Sequence, residues 1–334
     1  MSIPLRIAVL GAGSWGTALA MQSARLNPDV VLWARDPGHA ARLDTNRENA
    51  RYLPSVRFPD NLRVVSDPNL AVHGRDLIMV AVPTSGFRET LRWVGQRLGE
   101  GQRIAWATKG LETTTGAWLH EVLDEELPGQ ASAVLSGPSF AAEVAREQPT
   151  ALTVAAADTE LGEVVARAFH GRSMRVYRNA DVLGVELGAA FKNVLAIAAG
   201  ISDGAGFGAN ARAALMTRGL AELQRFGVAV GARPQTLTGL SGLGDLILTC
   251  TDDQSRNRRL GLFLGQGFDL ETARRRIGQA IEGADTARVA AAKADQAGVE
   301  MPICAEVHAV LYRNRPVREA VRRLLERDPV AEDE

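Results

Sequence analysis

Two cysteines in 334 residues, Cys250 and Cys304, are too few for a disulfide framework, and neither stands in a C-x-x-C pair. That scarcity suits a reducing, cytoplasmic setting. Long apolar runs are missing as well: Leu77 to Pro83 and Val194 to Ile201 end far short of the ~18 residues a membrane span needs. The N-terminus offers only Ile7 to Leu10 as a compact apolar run, which argues against a signal peptide. Net charge is nearly absent, Lys plus Arg totalling 38 against 39 Asp plus Glu. No overall field therefore gathers nucleic acid or anionic lipid, and any anion must be held locally. The five histidines, at 39, 73, 120, 170 and 308, show no H-x-x-x-H spacing, so a metal site finds no support.

What is present describes a globular chain of roughly two domains at about 150 residues each. Hydrophobic residues make up 46% and charged residues 23%, enough for a sizeable core. Glycine, at 33, exceeds the usual ~7% and marks places where backbone turns tightly or approaches a ligand. Short β-branched runs alternate with helical patterns through the first half, as in βαβ units. The expected strands are Arg6 to Leu10, Val30 to Trp33, Leu62 to Val65, Leu77 to Val82, Arg103 to Ala107, Ala133 to Leu135, Leu152 to Ala155 and Met174 to Tyr177, those at 77 and 103 buried on both faces. Thr17 to Arg25 and Phe87 to Leu98 read as core helices, the second keeping Phe87, Leu91, Val94 and Leu98 in register. After about Asn179 the strand-like runs vanish, and Val182 to Ala199 is apolar on nearly every side, as suits a central helix. The expected architecture is α/β: a Rossmann-like, mostly parallel sheet domain at 1–180, an all-α C-terminal domain at 181–327, and an acidic, frayed tail at 328–334.

Gly11-Ala12-Gly13-Ser14-Trp15-Gly16 follows the first strand and opens the first helix, the context that gives G-x-G-x-x-G its meaning. Gly11 permits the turn, Gly13 lets backbone approach a pyrophosphate, and Gly16 lets helix and strand close up. The helix N-terminus then offers free N–H groups to the phosphates. At the end of the second strand, Arg35 suits a 2′-phosphate and Asp36 a 2′-hydroxyl, so NADP(H) and NAD(H) both stay open, with the balance toward NADPH. Asp36 has a plainer use, as the cap of the next helix.

A carbonyl reductase must set a proton or a positive charge against the developing alkoxide. Lys192 is the only lysine in the most apolar helix, where desolvation lowers its pKa toward proton transfer; the alternative is a lysine that snorkels to water. Other polar breaks fall where ligands bind: Thr108-Lys109-Gly110-Leu111-Glu112 and Ser136-Gly137-Pro138-Ser139 after strands, Gly244-Asp245 and Ser255-Arg256-Asn257 in the helical half. Singly, Ser139, Asp245 and Ser255 read equally well as helix caps.

The ordered set G-A-G-S-W-G, T-K-G-L-E, S-G-P-S-F-A-x-E, F-K-N-V-L-A-I-A-A-G, G-L-G-D-L and S-R-N resembles the bacterial-type NAD(P)-dependent glycerol-3-phosphate dehydrogenase family over about residues 5–325. The resemblance implies cofactor contacts from Ser14, Trp15, Arg35 and Lys109, completed by Ala141, Arg256, Ala280 and Glu282. It implies substrate contacts from Lys109, Gly137, Ser139, Lys192, Asp245, Ser255, Arg256 and Asn257, with Lys192 transferring the proton. Ala280 stands where the family's V-x-E-G carries valine, a change that a backbone contact survives.

Dihydroxyacetone phosphate, reduced to sn-glycerol 3-phosphate for phospholipid synthesis, is the substrate so implied. Its phosphate suits Arg256 flanked by Ser255 and Asn257. Two rivals remain: a related two-domain dehydrogenase acting on a β-hydroxy acid or sugar acid, and a non-catalytic dinucleotide sensor. The Arg-rich stretches at 274–276 and 322–323 lie among acidic residues with no aromatic platform, so no nucleic acid partner is expected. The architecture is compatible with a homodimer, although no interface patch stands out.

Overall fold

The computed structural model describes residues 4–327; the acidic tail falls outside them. Eight strands form one sheet: β1 (Arg6–Leu10), β2 (Asp29–Trp33), β3 (Leu62–Val65), β4 (Leu77–Val80), β5 (Arg103–Trp106), β6 (Ser132–Ser136), β7 (Thr150–Ala156) and β8 (Met174–Asn179). Their order is β8-β7-β6-β5-β4-β1-β2-β3. The first six run parallel; β7 runs antiparallel to β6, and β8 pairs parallel with β7. β4 and β5 stop two residues and one residue earlier than their apolar runs suggest. Ala81 and Ala107 each donate one last backbone hydrogen bond at 2.8 Å, to the Leu10 and Val80 carbonyls, before the chain passes into the loops at the carboxyl edge.

Alternate residues of the central strands feed two cores. Ile7, Val9, Met79 and Ala105 face one layer of helices, while Ala8, Leu10, Ile78, Val80, Ile104 and Trp106 face the other. Both faces are therefore covered, as parallel sheets require. A hairpin of Glu48–Asn49 and Leu53–Arg57, unforeseen from the sequence, is inserted before β3.

Among the described residues no strand follows Asn179. The helices that matter for the site are α1 (Ser14–Ala24), α2 (Val182–Gly204), α3 (Ala209–Ala229), α4 (Asp245–Thr251), α5 (Arg256–Gly265), α6 (Glu282–Ala297) and α7 (Pro302–Tyr312). By length and composition α2 could cross a membrane, a property hidden from a search for unbroken apolar runs by its scattered Gly, Glu, Lys and Asn. Its apolar window is 89% buried inside the protein, however, which makes it the central helix of a third core, that of the helical half. Asp181 caps it by accepting the Gly184 N–H at 2.9 Å.

Candidate active site

The glycine turn after β1 divides its labour by space. Gly11 has φ +118, and a Cβ there would lie 2.6 Å from the Ala81 carbonyl oxygen. A Cβ on Gly16 would collide with the Gly11 carbonyl, whereas one on Gly13 would meet nothing within 4 Å. Two glycines thus serve packing and the middle one borders open space, as a cradle for a phosphate group demands. No side chain caps the N-terminus of α1, which leaves its first N–H groups to an anion. These features fit the diphosphate of a dinucleotide.

The loop that follows β5 carries Lys109. Thr108 ties its start to the Val82 carbonyl at 2.7 Å, and Glu112 anchors its far side by two 2.7 Å bonds from Arg88. So held, the Lys109 ammonium donates to Asp245 Oδ2 at 2.8 Å and lies 5.9 Å from the Trp15 ring centroid. It also stands 3.4 Å from the carbonyl oxygen of Gly137, the residue where β6 turns with φ +141. Ser139 donates to that same oxygen at 3.0 Å. Its hydroxyl is thus not a helix cap; the short helix Ala141–Ala145 begins after Phe140 without one.

From the helical half, Lys192 donates to the other Asp245 oxygen and to Thr249 Oγ1 at 3.0 Å. Thr249, one turn beyond Asp245 on α4, donates in turn to the Asp245 backbone carbonyl at 2.6 Å. The Asp245 side chain is 1% exposed and that of Lys192 7%, so this lysine does not snorkel. Burial drives the Lys192 ammonium down to about 8 from 10.5, aided by the nearby Lys109 charge and opposed by Asp245. Asp245, for its part, is held below the usual carboxylate range by its two lysines, which outweigh its burial. The result is one carboxylate shared by two ammonium groups at the seam of the two halves.

The remaining candidates surround this relay unevenly. Asn257 accepts the Gly283 N–H and donates to Asn193, both at 2.9 Å, and so ties α5 to α2 and α6 with one amide hydrogen to spare. Ser255 does cap α5, through the Arg258 N–H at 3.2 Å, yet keeps its own proton for a ligand. Arg256 is half-buried; among the described residues its guanidinium makes one side-chain hydrogen bond, to Gln279 at 3.5 Å, and has no carboxylate within ion-pair reach. Glu282, raised by burial, feels the charges of Arg256, Lys109 and Lys192. Ala280 is exposed just before it, and Ala141 is half-buried at the head of its helix. Arg35 is exposed at the end of β2, apart from the relay. Asp36 caps the next helix through the His39 N–H at 2.5 Å, its plainer use. Sequence reading missed Thr249 and Asn193; the i, i+4 step from Asp245 and the position beside Lys192 were the available signals.

A glycine turn open to an anion on the sheet half and a buried lysine–carboxylate–lysine cluster against it suit a reaction in which hydride and proton reach one carbonyl. This sets the chain among two-domain dehydrogenases that work with a dinucleotide. Comparison with known proteins narrows the class. Residues 6–162 match the N-terminal and residues 181–322 the C-terminal domain described as NAD-dependent glycerol-3-phosphate dehydrogenase. The chain belongs to that family. A glycerol-3-phosphate dehydrogenase [NAD(P)+] of Thioalkalivibrio sulfidiphilus is 58% identical over 96% of this chain and 97% of its own length. One from Halorhodospira halophila is 53% identical over 98% of each. The crystal structure of glycerol-3-phosphate dehydrogenase from Coxiella burnetii superposes with a TM-score of 0.93 at 45% identity, over 97% of this chain and 99% of that one.

Proposed function

We propose that this chain moves hydride reversibly between NADP(H) or NAD(H) and the pair dihydroxyacetone phosphate and sn-glycerol 3-phosphate, supplying the glycerol unit of phospholipids. Family membership supports the reaction. In the chain itself one observation carries the reading: the Asp245 carboxylate held between Lys109 and Lys192. A ketone becoming an alcohol takes a proton at oxygen, and an ammonium that titrates near 8 can deliver it close to neutral pH. A bound nicotinamide supplies or accepts the hydride. Asp245 and Thr249 fix the direction of the Lys192 ammonium, and Lys109 adds a second positive charge on the sheet side. Arg256, with no carboxylate partner among the described residues, is the anchor for the substrate phosphate, helped by the free protons of Ser255 and Asn257. Trp15, Ser14 and the glycine turn hold the cofactor, with Arg35 toward its adenosine end and Ala141, Ala280 and Glu282 closing the site.

The same reading takes 1–180 as the cofactor domain and 181–327 as the substrate domain. It places the enzyme in the cytoplasm, where its two buried free thiols meet no oxidant. The test is oxidation of NADPH or NADH by the purified chain. Dihydroxyacetone phosphate should turn over, and unphosphorylated dihydroxyacetone should lose roughly 10³ or more in kcat/KM. Turnover of a β-hydroxy acid or sugar acid in its place, or none at all, would overturn the proposal.

A further inference from the structure

The hairpin before β3 takes no part in the relay, yet it sets one polar side chain against the glycine turn. Asn49 is 0% exposed. Its amide nitrogen donates to the Ala12 carbonyl at 3.0 Å and to Thr17 Oγ1 at 2.8 Å. Its amide oxygen accepts the Tyr52 N–H at 3.4 Å, so the carboxamide faces one way only; turned over, it would set oxygen against the Ala12 carbonyl. The hairpin is itself anchored: Arg47 donates to the Leu62 carbonyl at 2.7 Å and to that of Pro59 at 2.5 Å.

The peptide joining Ala12 to Gly13 is planar and trans, so its C=O and N–H point in opposite directions. With the carbonyl pinned to Asn49, the Gly13 N–H is turned away from Asn49, and the turn is open where a Gly13 Cβ would stand. Left unpinned, a peptide followed by glycine turns more readily, because Gly13 φ carries no Cβ restriction. We infer that Asn49 is a positioning residue for the cofactor: it locks the Ala12–Gly13 peptide with the N–H presented to a dinucleotide diphosphate, and through Thr17 it fixes that peptide to the first turn of α1. This inference rests on the reading of the turn as the dinucleotide site.

The test compares Asn49→Ala and Asn49→Asp with wild type in three measurements. These are the Kd of NADPH from nicotinamide fluorescence, the melting temperature without ligand, and kcat at saturating cofactor. Both variants should weaken NADPH binding by about tenfold to a hundredfold, Asp more than Ala, because the isosteric carboxylate has no proton to donate and faces a carbonyl. The kcat at saturation and the KM for dihydroxyacetone phosphate should stay within about twofold. If Asn49 only fills space, Asp resembles wild type and Ala alone suffers, chiefly in melting temperature; that order overturns the inference. So does an unchanged Kd in Asn49→Ala, the variant that settles the matter should the buried Asp prevent folding. Failure of wild type to bind NADPH would instead remove the cofactor reading beneath it.

Discussion

A buried ammonium persists only when its protons find acceptors, and Lys192 finds them in Asp245 and Thr249. Lys109, Lys192 and Lys293 are the chain's only lysines, every other fixed cation being arginine, and two of the three converge on one carboxylate. Arginine does not give up its proton near neutrality, so this placement matches a need for proton transfer rather than for charge alone. Lys192→Ala should lose on the order of 10² to 10⁴ in kcat, and Lys192→Arg should not restore it. Arg256→Ala should raise the KM for dihydroxyacetone phosphate about tenfold to a hundredfold while kcat falls less, as steady-state kinetics would show. Lys192 was legible because a charge inside an apolar run is conspicuous. Asn49 was not, since an isolated polar residue gives no sign of what it faces across the fold.

At the scale of elements, α2 and α5 cross on glycine. A Cβ at Gly200 would strike the Arg258 carbonyl and one at Gly261 the Ile197 carbonyl, so the two backbones lie in direct contact. α5 also carries Arg256 and Asn257, which makes this crossing the distance gauge of the site. Gly261→Ala should therefore cost about 1–3 kcal/mol or more in denaturant unfolding and raise the KM for the phosphorylated substrate as α5 moves outward. All eight strands of the main sheet could be read from apolar runs, because each is buried on at least one face. The small hairpin escaped because Leu53–Arg57 is mostly exposed and shows no such run. Nor did the sequence reveal that β7 reverses direction, since a buried strand has the same residue period either way.

The whole molecule is a sheet half with a core on each face, joined across a seam to a helical half with its own core, and its pH response has a source away from the chemistry. Glu222 on α3 is 2% exposed and accepts the Ile303 N–H at 2.8 Å, at the start of α7. Burial pushes its carboxyl up to about 7 from 4.5. A folded pKa above the unfolded one favours the fold at low pH, and that contribution is lost as pH rises from about 4.5 through 7. Glu222→Gln should accordingly be more stable than wild type at pH near 8 by about 1–3 kcal/mol, an advantage that vanishes near pH 5 in thermal melts. The relay itself is probed most directly by the pH dependence of kcat/KM for dihydroxyacetone phosphate in wild type and Asp245→Asn. Wild type should decline above pH about 8 as Lys192 gives up its proton, while oxidation of glycerol 3-phosphate rises through the same range. Because Asp245 raises Lys192, its neutral replacement should move that limb to lower pH; a limb unmoved, or a wild-type profile flat to about pH 10, would contradict proton transfer by Lys192.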